Sequence, residues 1–126
     1  MRQQAAASPT ERELEILKIL WEIGPASVRQ VFDVMRAKED IAQNTVQTFL
    51  RMMEEKGLAE HKAEGRTFIY TPLYSREKTV SRFLDRVFDG AVQELVMNAI
   101  SVKKMSTEEL ESIEKLIVEA KRVARK

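Results

Sequence analysis

Apolar positions recur with a period near 3.6 through most of this chain, and once the period changes. Leu14, Leu17, Leu20 and Trp21 form the stripe of a first predicted helix. Ser8 or Thr10 can cap it, Pro9 suits its first turn, and Glu11 and Glu13 complement the positive end of its dipole. Gly24-Pro25 ends it. Ser27 then caps a short second helix, with Val28, Val31, Phe32 and Met35 at i, i+3, i+4 and i+7. After the polar Lys38-Glu39-Asp40, a third helix carries Val46, Phe49, Leu50 and Met53 in the same spacing. Ala42 is a poor N-cap for it, but Ile41 and Val46 have the spacing of a hydrophobic staple, and Gly57 stands where a left-handed cap is expected.

Beyond Gly57 the pattern shortens to a period of two. Residues 58–63 and 67–73 read as two strands, with Phe68 and Tyr70 on one face and Glu64-Gly65 as the turn. The chain is then helical again. Ser75 caps a stripe of Val80, Phe83, Leu84, Val87 and Phe88 that Gly90 stops. A shorter segment holds Val92, Leu95, Val96 and Ile100. Ser106-Thr107-Glu108-Glu109 is a capping box opening a last helix with Leu110, Ile113, Leu116 and Ile117.

Three short helices followed by a hairpin is the element order of a winged helix-turn-helix. The expected fold is mainly α with a small β-hairpin wing. Residues 1–73 are expected to form a winged-helix DNA-binding domain and residues 74–126 a helical dimerisation segment. The stripe of Val80, Phe83, Leu84, Val87 and Phe88 is too large for a segment of roughly fifty residues to bury alone. Pairing across a two-fold axis would cover it, together with Leu95, Leu110, Ile113 and Ile117, and would space two reading helices to match a palindrome. The alternative is a monomer whose last helices fold back on the winged domain.

Composition narrows the function more by exclusion than by support. The chain of 126 residues has no cysteine, which removes disulfides, thiolate metal sites and thiol nucleophiles. It has one histidine, no Gly-rich phosphate loop and no carboxylate pair in a setting for acid/base work, so neither a catalytic site nor a cofactor is expected. His61 lacks a second His or Cys as a metal partner and reads as a wing or surface residue. No apolar run reaches the roughly 18 residues of a membrane span, and no secretory signal is visible, so a cytoplasmic location without membrane insertion is expected. Charge gives no footprint for nucleic acid. Residues 1–75 carry 10 Lys plus Arg against 11 Asp plus Glu.

The third helix is where a polyanion partner shows. At about 100° per residue its buried stripe leaves Asn44, Thr48 and Arg51 on the far side, flanked by Thr45 and Gln47. Asn and Gln can take adenine bidentately, Thr can touch a thymine methyl, and Arg can hold guanine or phosphate. Residues 41–53 contain no acid although their neighbours are rich in Glu, while Glu54 and Glu55 should point away or pair with Arg51. Lys62 and Arg66 flank the wing turn and could hold phosphates. The same residue types also solvate ordinary surface helices, and a winged helix can serve as a protein-interaction module or as the reading head of a small-molecule-responsive repressor.

The chain also resembles a known family. Residues 14–21 (LEILKILW) and Gly24-Pro25-Ala26-Ser27-Val28 resemble the opening of the penicillinase-repressor (BlaI/MecI-like) family. Residues 44–50 (NTVQTFL) resemble its recognition helix, Glu55-Lys56-Gly57-Leu58 that helix's end, and Tyr70-Thr71-Pro72 the strand leaving its wing. Phe83-Leu84 and Leu95-Val96-Met97-Asn98 fall where its C-terminal helices have similar residues. The resemblance implies a dimeric repressor on palindromic, double-stranded operator DNA near antibiotic-resistance or stress genes. It further implies inactivation by a regulatory protease linked to a membrane sensor, cutting after the residue that Asn98 resembles, before Ala99. Relatives often carry Phe at the second of these positions, and Lys or Arg where this chain has Gln47 and Met52. An Asn near a helix end is the plainer reading of Asn98.

Overall fold

The computed structural model describes residues 8–125. Ser8, one of the two expected caps, is among them, but Thr10 takes the role. Its hydroxyl accepts from the Glu13 N–H at 3.2 Å, and the Glu13 carboxylate accepts from the Thr10 N–H at 2.9 Å. This reciprocal box opens α1 (Glu11–Ile23). Gly24 closes the helix at φ 85°. Ala26–Ser27 form a two-residue strand, β1, before Ser27 and Gln30 make a second capping box for α2 (Val28–Arg36).

Helix α3 (Gln43–Glu55) starts from Ala42, which offers no side-chain cap. Ile41, just before it, packs against the core. The helix ends in a Schellman motif. The Leu58 N–H donates to the Met53 carbonyl at 2.8 Å, the Gly57 N–H donates to Glu54 at 3.0 Å, and Gly57 sits at φ 81°. Strands β2 (Ala59–Glu64) and β3 (Thr67–Pro72) follow, antiparallel, with Glu64 opposite Thr67. The turn is therefore Gly65-Arg66, one residue later than the sequence pattern suggests, with Gly65 at φ 64°.

The hairpin is two strands of a three-stranded sheet. β1 pairs with β3, Ala26 opposite Tyr70 and Ser27 opposite Ile69, giving the order β1-β3-β2. Ile16, Leu17, Leu20, Val31, Val46, Leu50, Met53, Leu58 and Tyr70 are buried in one core beneath helices and sheet. Tyr74 belongs to it as well. The Trp21 indole N–H donates to the Tyr74 carbonyl at 2.9 Å, and the Leu73 N–H donates to Leu58. This compact unit runs on through Val80.

A second unit begins at Ser81. It holds the greater part of α4 (Arg76–Phe88), then α5 (Val92–Val102) and α6 (Thr107–Ala124). Ser75 caps α4, and Ser106 with Glu109 forms the capping box of α6. None of these helices contains a buried residue. Phe83, Val87, Ile100, Leu116, Ile117 and Val118 are all exposed in the single chain. No helix among the described residues is long and apolar enough to cross a membrane.

Candidate nucleic-acid interface

Helix α3 turns Val46, Leu50 and Met53 inward, so its other faces are fixed by the helical period. Asn44, Thr45, Gln47, Thr48 and Arg51 are all exposed. Thr48 donates its hydroxyl back to the Asn44 carbonyl at 3.0 Å. That bond uses the only hydroxyl proton, so the side chain offers solvent its methyl group and acceptor lone pairs.

Wing and helix are tied together at the helix's C-terminal end. His61 on β2 brings Nδ1 within 2.6 Å of Glu54 Oε1 on α3. Its ring stacks on Phe68 at 4.1 Å and lies 5.6 Å from Tyr70. Glu54 thus takes a wing partner instead of Arg51, the partner suggested by sequence. Burial raises the Tyr70 hydroxyl pKa, Glu54 adds to the rise, and Arg51 offsets part of it. His61 is half-buried and lies on the wing strand β2.

Toward the helix's N-terminal end, a groove opens between α3, the start of α2 and the wing. Ser27, Arg29, Gln43, Gln47, Arg66 and Phe68 line it, and no acid does. Arg66 stands on the wing turn, exposed; Lys62 is also exposed, on β2. Arg29 and Gln43 are the residues that sequence reasoning passed over. Gln43 lies one turn before Gln47 on the same flank, a relation the helical period could have revealed. Arg29 reaches the groove only through the packing of α2 on α3, for which there is no local signal.

Several acids elsewhere in this unit are held by cations. Arg12 grips Glu39 with two hydrogen bonds, at 2.8 and 2.5 Å, which holds the Glu39 carboxyl below its usual range. Lys56 holds buried Glu13. Asp33 is shared by Arg29 at 3.1 Å and Arg36 at 3.2 Å.

Asn98 lies inside α5, exposed, where its amide donates to the Glu94 carbonyl at 2.8 Å. Among the residues expected to dimerise, Val80, Phe83, Val87, Leu110 and Ile117 are exposed, and Leu84, Phe88, Leu95 and Ile113 are half-covered. The Phe83 and Phe88 rings meet at 6.0 Å.

Comparison with known proteins matches this arrangement at three levels. The chain is 27% identical over 116 residues to the penicillinase repressor of Bacillus licheniformis, covering 89% of this chain and 91% of that protein. It is 24% identical over 109 residues to the methicillin resistance regulatory protein MecI of Staphylococcus aureus strain N315, covering 83% and 89%. Among solved structures, the DNA-binding domain of the repressor BlaI superposes with a TM-score of 0.54 at 26% identity, over 60% of this chain and 93% of that one. The monomeric form of Bacillus licheniformis BlaI bound to the blaP half-operator gives a TM-score of 0.51 at 26% identity, with the same coverage. The family model described as penicillinase repressor matches residues 9–119, and the chain therefore belongs to the penicillinase repressor family.

Proposed function

We propose that this chain is a DNA-binding transcriptional repressor that acts as a homodimer on a two-fold symmetric operator. The observation that carries the DNA reading is the exposed, acid-free face of α3 beside a wing bearing Lys62 and Arg66. Asn44, Thr45, Gln47, Thr48 and Arg51 read base edges or hold the strand, and Lys62 and Arg66 hold phosphates. The half-operator complex of BlaI, a relative of the same fold, supports a DNA-binding role.

Dimerisation rests on the second unit. Its helices leave Phe83, Val87, Ile117 and other large apolar side chains exposed, and so much exposed apolar surface in a small unit calls for a partner surface. A second copy supplies it with one self-complementary patch. One winged helix spans few base pairs, and two raise selectivity together. Cleavage between Asn98 and Ala99 by a regulatory protease linked to a membrane sensor would cut α5 in this segment and release repression. Detection of a fragment ending at Asn98 in induced cells tests that step, and intact chain throughout induction rules it out.

The central test is binding of full-length protein to duplex fragments of the DNA flanking its own gene. Saturable binding that protects an inverted repeat is expected. Binding without sequence preference, or none, removes the reading.

A further inference from the structure

The groove between α2, α3 and the wing has the chemistry of an anion seat, with Arg29 of α2 and Arg66 of the wing turn both in its lining. Arg66 has no hydrogen-bond or ion-pair partner among the described residues. Gln43 and Gln47 line the same groove with amide groups that carry donors. The lining contains no acid, and Asp33, which contacts Arg29, is shared with Arg36.

We propose that this groove seats one phosphodiester of the DNA strand that passes between the reading helix and the wing, with Arg29 as a phosphate ligand opposite Arg66 and Gln43 donating from beneath. The inference rests on the DNA reading above and adds a contact to it. A helix lying in a major groove about 12 Å wide has a sugar–phosphate strand along each side. On the wing side of α3, that strand must cross the groove lined by Arg29, Gln43 and Arg66.

The ion pairs of α2 make Arg29 available for this. Asp33 lies 3.1 Å from Arg29 and 3.2 Å from Arg36. When Arg29 turns to a phosphate, Arg36 still neutralises Asp33, so no carboxylate is left unpaired beside the DNA. Arg29 exchanges one exposed anion for another, and the cation stays satisfied throughout.

The test measures binding of the full-length chain to a mixed-sequence 30-base-pair duplex by fluorescence anisotropy, between about 50 and 200 mM salt. Each phosphate neutralised contributes about 0.9 to the slope of log K against log salt. Arg29→Gln is expected to reduce that slope by about 0.9 per chain, and Arg29→Lys to restore it, since a point charge suffices for phosphate. Lys18→Gln, which removes the same charge from the exposed side of α1, is expected to leave the slope unchanged. An Arg29→Gln slope equal to wild type overturns the assignment, as does failure of Arg29→Lys to restore it. Wild-type protein without any salt-dependent binding would instead overturn the DNA reading itself.

Discussion

Lys56 places its ammonium 2.9 Å from both carboxylate oxygens of Glu13, pinning the C-terminal end of α3 to the first turn of α1. Glu13 is 1% exposed and also accepts the Thr10 N–H, so its charge is satisfied inside the fold. Burial alone would raise its pKa. The Thr10 N–H and Lys56 together overcome that and hold it below the usual 4.5. Lys56→Met is expected to destabilise the chain by about 2 kcal/mol. Loss of a fully buried partner costs more, but the Lys56 side chain is 32% exposed. Urea unfolding at pH 7 checks this.

The same pair sets a pH dependence. A carboxyl with a depressed folded pKa contributes stability that is complete above its unfolded value and fades as pH falls through the folded one. Wild-type protein should therefore lose stability below about pH 4.5, and Glu13→Gln should show a shallower loss over that window. Midpoints of urea unfolding between pH 3 and 7 compare the two. Parallel profiles would mean that Glu13 is not among the groups responsible.

Gly57 is held at φ 81° by the Schellman bonds that close α3, and an added Cβ would meet nothing within 4 Å. Any cost of substitution there lies in the backbone. Gly57→Ala should lose about 1 kcal/mol, and Gly57→Asn less, because Asn tolerates the left-handed region better. In thermal unfolding the alanine variant should melt roughly 4–8 °C lower.

At Thr48 the back-bonded hydroxyl leaves the methyl as the group turned outward. If α3 lies in the major groove, Thr48→Val should keep most operator affinity, whereas Thr48→Ser should relax preference at one thymine. Gln47→Ala should weaken operator binding by roughly 1–3 kcal/mol. Titration of the three variants against operator and point-changed duplexes separates methyl contact from hydroxyl contact.

Val87 and Ile117 are exposed in the single chain, so changing them disturbs no buried core. The double variant Val87→Glu, Ile117→Glu should sediment as a monomer where wild type sediments as a dimer, with unchanged far-ultraviolet dichroism. A chain ended after Val80, which keeps Tyr74 and its bond from Trp21, should be monomeric and folded.

Much of this architecture could be read from local signals. Thr10, Ser27 and Ser106 cap as their neighbours at N3 imply, and Gly57 ends α3 where the apolar period stops. What escaped was set by partners distant in sequence. Two residues, Ala26 and Ser27, have no period to detect, and they are a strand only because Tyr70 and Ile69 lie alongside. Glu13 reads locally as a dipole complement, but its burial depends on Lys56, 43 positions away. The wing turn moved by one residue because pairing, not the Gly alone, sets register. In the candidate site, the face of α3 followed from the helical period, while Arg29 needed three elements packed together.

The paired acids of the winged unit have a consequence for how it would search DNA. With Glu13, Glu39, Glu54 and Asp33 each held by a cation or by the wing histidine, near-neutral total charge coexists with exposed cations at Arg51, Lys62 and Arg66. Such a body has little monopole attraction to a polyanion but a directed field close to its surface. It is turned more than it is pulled. Random genomic sequence would then hold it only briefly, leaving more copies free to find the few sites where base edges complete the contact.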